Sequence, residues 1–318
     1  MFLEKGFLPS NKFWKYIVGS LLIILASTIG QIPWLIAITI ETFKTGKKFP
    51  TDESSMMSFL SPNLTLFLLL LSFVFAFIAI ILVVRHFHKQ SFLSVTTSRE
   101  KVDWKRIIFS FSLWSFFTFT MTMILYYASP ADFVLNFKPI PFLILATIGI
   151  VLIPIQTSTE EYVFRGYLMQ GFAILAKNKW FPLLMTSLIF GTMHIANPEV
   201  TKMGYIVLVY YIGTGLFLGI ITLMDEGMEL ALGFHAANNL VTALLVTSDW
   251  SAFQTNSVFK DVSSPSAGIE IVTPIFIIFP ILLFIFSKKY NWTNWKEKLT
   301  GTIQITTIEQ TQNIESHE

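Results

Sequence analysis

Eight long apolar segments constrain the fold of this chain more than any other feature of its sequence. They run over approximately 15–40, 64–85, 107–128, 142–174, 181–197, 204–224, 229–247 and 271–287. Most are close to the ~20 residues that a helix needs to cross the hydrocarbon core of a membrane. Within hydrocarbon every backbone N–H and C=O group needs a partner in the protein, and a helix supplies these partners internally. The sequence therefore predicts an all-α, polytopic membrane helix bundle with about eight transmembrane helices.

Composition supports a membrane protein and narrows the chemistry. Charged residues make up 13% of the chain and hydrophobic residues 53%, whereas a soluble domain carries about 25% charged residues. The net charge of +2 is too small to indicate a nucleic-acid partner. Because the chain has no cysteine, disulfides, thiolate metal sites and a Cys nucleophile are excluded. His, Glu, Asp, Asn and hydroxyl groups remain for any reaction.

The distribution of Lys and Arg predicts that both termini are cytoplasmic. In this orientation fifteen of these residues fall on the cytoplasmic side and six in outer loops, as the positive-inside rule requires. His86 and His88, beside the basic loop after the second segment, are predicted to be solvated.

Four regions follow from the segments and the polarity between them. Residues 1–139 contain three spans, and residues 140–250 form a core of four spans. An outer loop and the last span occupy residues 251–298, and a polar tail over residues 299–318 is predicted to be disordered.

The stretch STEEYVFRGYLMQ places three charges inside the fourth apolar segment. A charge at bilayer depth costs roughly 3 kcal/mol on insertion scales, so such residues are functional candidates. Glu161 and Arg165 are four residues apart, which predicts an ion pair on one helical face. Glu160 is rotated by about 100° from Glu161 and is left to face a cavity. Alternatively, these charges mark a loop between two spans.

Two further segments carry polar side chains at the same spacing. FGTMH places Phe190 and His194 on one helical face, and GFHAANNL does the same for His235 and Asn239. Taken singly, these residues are typical of a packed histidine or of an interhelical hydrogen bond worth roughly 1 kcal/mol. Taken with Glu160, they form a carboxylate, two imidazoles and an amide on three apolar segments, which indicates hydrolysis.

The residues allow two routes to hydrolysis. Glu160, His194 and His235 are a suitable ligand set for catalytic zinc, with a water molecule in the open coordination position. The same groups could instead activate water without a metal, with Asn239 stabilising an oxyanion. The residue types alone leave both routes open.

The order EExxxR, FxxxH, HxxxN resembles the CPBP family of intramembrane proteases, which comprises CAAX proteases and bacteriocin-processing enzymes and is also called the Abi family. The resemblance covers roughly residues 140–250, where every signature position is filled. It implies that Glu160 and His194 activate the attacking water, and that His235 and Asn239 complete the site. It leaves the choice between a zinc enzyme and a glutamate-type enzyme open.

The resemblance also implies supporting residues, a class of substrate and a location. Glu161 and Arg165 would hold the motif helix in place. The substrate would be a hydrophobic or membrane-tethered peptide or protein within the lipid, as for a CAAX prenyl endopeptidase. Because the chain lacks cysteine and is rich in Lys, Phe and Ile, we expect a multi-pass protein of a bacterial plasma membrane. Bacterial relatives imply roles in bacteriocin immunity or in regulating a membrane sensor kinase, which would then be a partner.

Two other classes of function compete with a protease. A non-catalytic membrane scaffold or immunity protein could use the same fold, although it has no need of Glu160 or His194. An ion or metal transporter could also place Glu and His within the membrane. Transporters of this kind often contain paired repeats with broken helices, and no such repeat is present in the sequence.

Overall fold

The protein, described here from a computed structural model that covers residues 1–265 and 268–303, is mainly helical. The α-helices of these residues are α1 (Phe13–Thr45), α2 (Glu53–Ser58), α3 (Pro62–Leu82), α4 (Trp104–Ala128), α5 (Pro139–Glu161), α6 (Met169–Ala176), α7 (Trp180–Thr192), α8 (Pro198–Met203), α9 (Val207–Asp225), α10 (Glu229–Leu245), α11 (Phe279–Tyr290) and α12 (Trp295–Thr300). Single π-helical stretches follow α3, join α5 to α6 and precede α11, at Val83–Phe87, Tyr162–Leu168 and Pro274–Ile278.

The predicted polytopic helix bundle is confirmed. Within the described residues, five stretches are long and apolar enough to cross a membrane, and they are Phe13–Thr45, Pro62–Phe87, Trp104–Ala128, Pro139–Ala176 and Val207–Asp225. The other three predicted segments form shorter helices, because α7 has 13 residues, α10 has 17 and α11 has 12. At 1.5 Å per residue, α7 is only about 20 Å long, less than the hydrocarbon thickness of about 30 Å. The cytoplasmic location of the termini stays a prediction.

Helix α10 lies at the centre of the bundle and packs against α4, α5 and α9. It approaches α4 closely at Gly233, where a Cβ atom would lie 2.2 Å from the carbonyl oxygen of Ile107. Aromatic rings fill the space nearby, and the ring centroids of Trp114 on α4 and Phe234 on α10 are 4.4 Å apart. The polar residues of α10 are therefore held in a fixed position relative to α4 and α5.

A small three-stranded sheet lies among the connections between helices, and the sequence did not predict it. Its strands are β1 (Phe133–Leu135), β2 (Val246–Thr247) and β3 (Phe259–Asp261), in the order β1-β3-β2. β3 pairs antiparallel with β1 and parallel with β2. Strands of two or three residues are too short to show an alternating pattern, so these segments resemble ordinary loops in the sequence.

Part of the tail predicted to be disordered lies outside the described residues, namely 304–318. Before it, α12 continues to Thr300, and the backbone N–H of Ile303 donates to the carbonyl of Lys177 at 3.0 Å. The side chain of Ile303 is buried. The last described residues therefore pack against the loop between α6 and α7.

A buried polar network joins the N-terminal segment to the stretch between α5 and α6. The Nε2 atom of His88 lies 2.9 Å from the hydroxyl of Tyr167, and its Nδ1 atom lies 3.0 Å from Oδ1 of Asn11. Asn11 donates to Gln90 at 3.2 Å, and Gln90 donates to Gln170 at 3.2 Å. The prediction that His88 is solvated is therefore wrong, because its position after α3 turns it towards these partners.

Burial of His88 should make the stability of the protein depend on pH. Burial, together with the positive charge of Lys15, lowers the pKa of His88 from 6.5 to about 4. As the pH falls from 6.5 towards 4, the unfolded chain binds a proton at His88 before the folded chain does, so folding stability is lost over this range. When the pH is lowered from 6.5 to 4, we expect the thermal unfolding midpoint in detergent to fall less in His88→Gln than in the wild type.

The control for this prediction is His86→Gln, because His86 is exposed. This variant should follow the wild-type curve between pH 6.5 and pH 4. If the curves of His88→Gln and His86→Gln stay parallel over the range, His88 does not cause the pH dependence.

Candidate active site

The charged residues of STEEYVFRGYLMQ lie inside one long helical stretch. Helix α5 ends at Glu161, the π-helical turn covers the next seven residues, and α6 continues the stretch. Together these elements form 38 residues of continuous helix, Pro139–Ala176. The alternative that the charges mark a loop between two spans is therefore wrong. Single π-helical turns occur frequently at functional sites.

The predicted ion pair between Glu161 and Arg165 is present and fully buried. Nη1 of Arg165 lies 3.0 Å from Oε1 of Glu161, and both side chains are 0% exposed. Nη2 of Arg165 donates to the carbonyl of Gly215 on α9 at 3.1 Å. Its guanidinium group also lies 4.5 Å from the ring centroid of Phe190 on α7, a favourable cation–π distance. Arg165 thus joins the π-helical turn to two neighbouring helices.

His235 contacts both glutamates of the motif. Its Nδ1 atom lies 2.7 Å from Oε1 of Glu161, and its Nε2 atom lies 3.5 Å from Oε2 of Glu160. An ionised carboxylate only accepts hydrogen bonds, so the Nδ1–H group of His235 donates to Glu161. The contact between His235 and Glu161 was not predicted, because the spacing of residues within one helix says nothing about partners on another.

His194 lies in the turn that follows α7. Its Nδ1 atom donates to the carbonyl oxygen of Phe190 at 2.7 Å, which leaves Nε2 as the free acceptor. The imidazole stacks on Tyr211 of α9, with ring centroids 4.1 Å apart. Between His194 and Glu160 the described residues contain no direct hydrogen bond. A molecule bound between them, such as a water, would have to join the two groups.

Gln156 connects Asn239 to Glu160, a role that was not predicted from the sequence. Nδ2 of Asn239 donates to Oε1 of Gln156 at 3.0 Å, and Nε2 of Gln156 donates to Oε1 of Glu160 at 2.6 Å. The Gln156 side chain is 3% exposed. A signal was present in the sequence, since Gln156 is a polar residue four positions before Glu160 in an apolar helix.

The structure thus brings Glu160, His235 and Asn239 to one place. Phe190 lies between the two histidines, with its ring centroid 4.9 Å from that of His194 and 6.0 Å from that of His235. The side chain of Glu160 is 17% exposed. The residues therefore form a half-buried polar site between apolar helices.

The candidate zinc ligands do not converge as a set of three. Glu160 and His235 face each other, but among residues 1–265 and 268–303 no group of three or more His, Asp or Glu side chains is placed to hold a metal ion. His194 is directed towards Phe190 and Tyr211 instead. This arrangement does not fit a three-ligand zinc site, so we derive no reaction step through a metal. Zinc binding stays a prediction.

Gly191 determines how closely the helix before His194 approaches α9. An alanine Cβ at this position would lie 2.3 Å from Cγ1 of Ile212 and 2.8 Å from its backbone nitrogen. Because part of the clash is with backbone, we expect Gly191→Ala to separate α7 from α9 and to cost about 1–3 kcal/mol. Thermal unfolding in detergent measures this loss.

Gly149→Ala is the matched control for Gly191→Ala. The nearest atom to its added Cβ is the end of the flexible Leu240 side chain, at 3.1 Å. This variant should unfold within a few degrees of the wild type. Equal midpoints for the two variants would contradict the close approach of α7 to α9.

Comparison with known proteins identifies the family. A family model described as Type II CAAX prenyl endopeptidase Rce1-like matches residues 138–241, a range that includes all the motif residues above. The uncharacterized protein YyaK of Bacillus subtilis (strain 168) is 30% identical over 257 residues, which cover 80% of this chain and 83% of that protein. No solved structure matches the chain. The motifs, the helical membrane fold and these matches lead to one conclusion: the chain belongs to the CPBP family of CAAX-type intramembrane proteases.

Proposed function

We propose that this protein is an endopeptidase of the bacterial plasma membrane, which hydrolyses a peptide bond in a hydrophobic or membrane-tethered peptide. The observation that carries the proposal is the half-buried carboxylate of Glu160, which lies 3.5 Å from the Nε2 atom of His235. A carboxylate and imidazole groups at a partly exposed position between apolar helices can move protons during hydrolysis. Because the site lies between apolar helices, we expect its substrates to be embedded in the membrane.

In the proposed reaction, Glu160 is the general base. It removes one proton from a water molecule that also donates a hydrogen bond to the free Nε2 atom of His194. The oxygen of this water attacks the substrate carbonyl carbon. As the C–N bond breaks, Glu160 returns this proton to the departing amine nitrogen, so the products are a carboxylic acid and an amine. The Nδ1 atom of His194 donates to the carbonyl of Phe190, and that of His235 donates to Glu161, so both rings are held in a fixed orientation.

Asn239 and His235 complete the proposed site. Asn239 uses one N–H group of its amide for Gln156, and its second N–H group is left for the oxyanion that forms on the substrate carbonyl. The Nε2 atom of His235 lies beside the other carboxylate oxygen of Glu160, at 3.5 Å.

Reconstitution of the protein in lipid vesicles tests the proposal. The probes are two synthetic peptides, one with a prenylated cysteine near its C-terminus and one with a single transmembrane segment. In water enriched in oxygen-18, mass spectrometry should detect cleavage products that carry one heavy oxygen in the new carboxyl group. A parallel reaction with a chelator, followed by addition of zinc, tests the metal route.

The competing scaffold hypothesis makes the opposite prediction. A scaffold or an immunity protein, including one that regulates a sensor kinase, should keep its cellular phenotype when His194 is replaced by alanine. Absence of product from both peptides, together with an unchanged phenotype of His194→Ala cells, would contradict the protease. The transporter hypothesis is not favoured, because Glu160, His235 and Asn239 meet at one point instead of following a path.

A further inference from the structure

A chain of four hydrogen bonds leads from α4 to Glu160. The indole Nε1 of Trp114 donates to Oδ1 of Asn238 at 3.1 Å, and Nδ2 of Asn238 donates to Oδ1 of Asn239 at 3.0 Å. Nδ2 of Asn239 then donates to Oε1 of Gln156 at 3.0 Å, and Nε2 of Gln156 donates to Oε1 of Glu160 at 2.6 Å. We call Trp114, Asn238, Asn239 and Gln156 the amide chain.

The two ends of the amide chain fix its direction. An indole N–H can only donate, and an ionised carboxylate can only accept. Each of the three amides between them has one oxygen and one NH₂ group in use, so reversing any amide would place two donors or two acceptors together. Every bond therefore points towards Glu160. Hydrogen bonds that follow one another in this way polarise and strengthen each other.

We propose that Gln156 is a positioning residue for hydrolysis, and that Asn239 acts on Glu160 through it. This inference rests on the proposed function of Glu160 as the base. Gln156 occupies one oxygen of the Glu160 carboxylate and so directs the other oxygen, Oε2, towards His235 and the attacking water. Both polar ends of the Gln156 side chain are engaged by Asn239 and Glu160, and the side chain is 3% exposed.

The amide chain also extends the site beyond the part of the protein that matches the family. Trp114 belongs to α4, outside the matched residues 138–241. Its ring is buried against Phe117 and Phe234, at centroid distances of 5.0 and 4.4 Å. Packing therefore holds the first donor of the chain in place, so that each following amide is oriented in turn.

Steady-state kinetics of the reconstituted enzyme test the role of Gln156. Gln156→Leu should lower kcat by about 10- to 100-fold, the range found when the hydrogen-bond partner of a metal-ligating side chain is removed, and KM should change little. Trp114→Phe keeps the aromatic ring and removes only the N–H group, and it should lower kcat by a smaller factor. If Gln156→Leu lowers the amount of folded protein by the same factor as kcat, Gln156 is a structural residue and not a positioning residue.

Two matched controls keep this test specific. Thr157→Val removes a buried hydroxyl next to Gln156. Among the described residues, this hydroxyl donates only within its own helix, to the carbonyls of Ile153 and Pro154. Trp34→Phe removes an indole N–H that is buried and has no hydrogen-bond partner among the described residues. Both variants should keep the wild-type kcat, and a loss comparable with that of Gln156→Leu would overturn the proposal.

A double-mutant cycle separates the two ways in which Asn239 could act. If it acts through Gln156 as well as on the oxyanion, then Asn239→Ala should lower kcat by a smaller factor in the Gln156→Leu background than in the wild type. If it contacts only the oxyanion, the two losses should multiply, and this part of the proposal fails.

A spectroscopic readout tests the amide chain without activity. In NMR spectra of protein labelled with nitrogen-15 at glutamine, the side-chain signal of Gln156 is the one that is absent from Gln156→Leu. Trp114→Phe should shift this signal, whereas Trp34→Phe should leave it unchanged. If the wild type cleaves no peptide but this shift is observed, the proposed function has failed and the amide chain stands. Absence of the shift in an active enzyme overturns the amide chain alone.

Discussion

Replacing Glu160 with glutamine should lower the rate of peptide hydrolysis at least 10²-fold, because an amide cannot take a proton from water. The amount of folded protein should stay nearly unchanged. A glutamine oxygen can still accept the hydrogen bond that Gln156 donates, and its NH₂ group can donate to the Nε2 atom of His235, 3.5 Å from the present carboxylate oxygen. Single-turnover cleavage in vesicles, alongside size-exclusion chromatography, measures both quantities.

Glu100→Gln provides the matched control, since Glu100 is exposed and lies in the loop before α4. It should hydrolyse the peptide at the wild-type rate. A Glu160→Gln enzyme that is as fast as the wild type would show that the base is another group. A Glu160→Gln protein that does not fold would instead make this carboxylate a structural residue.

Replacing Arg165 with methionine should destabilise the protein by about 3–5 kcal/mol, because the Glu161 carboxylate would be left buried without its cation. The change also removes the hydrogen bond to Gly215 and the contact with Phe190. We expect little folded protein after extraction in detergent and a much lower unfolding midpoint. Fluorescence-detected size-exclusion chromatography and thermal unfolding measure these effects.

The double variant Arg165→Met/Glu161→Gln tests the cause of this loss. Removing both charges leaves neither member of this pair as an unpaired ion, so stability should recover in large part. Lys260→Met is the control, since it breaks a pair with Asp249 whose side chain is 78% exposed, and such surface pairs contribute little. Normal folding of Arg165→Met with complete loss of hydrolysis would make the pair part of the reaction instead.

The sequence predicted those features that depend on neighbours along the chain. The length and polarity of the apolar segments predicted the helices, and the four-residue spacing predicted the pair between Glu161 and Arg165. The same spacing applied to Gln156 and Glu160 would have found their hydrogen bond. It was missed because an uncharged amide stands out less than a charge in an apolar helix.

Features that depend on packing between helices could not be predicted in this way. A helical pattern says which residues share a face, but not which helix lies against that face. The contacts of His235 with Glu161 and of His194 with Tyr211, and the burial of His88, all join residues far apart in the sequence. The π-helical turn after Glu161 was also missed, because its residues are ordinary helix formers.

The hydrogen bonds between Asn11, His88 and Tyr167 have a consequence for the smallest piece of this protein that can fold alone. A fragment limited to the family match would begin at residue 138 and lose α1, α3 and α4. Tyr167 and Gln170 would then be left inside an apolar surface without the N-terminal partners that satisfy them, and Asn238 would lose Trp114. The segments before residue 138 therefore supply polar partners to the core, and a truncated core would need replacements for them before it could be isolated.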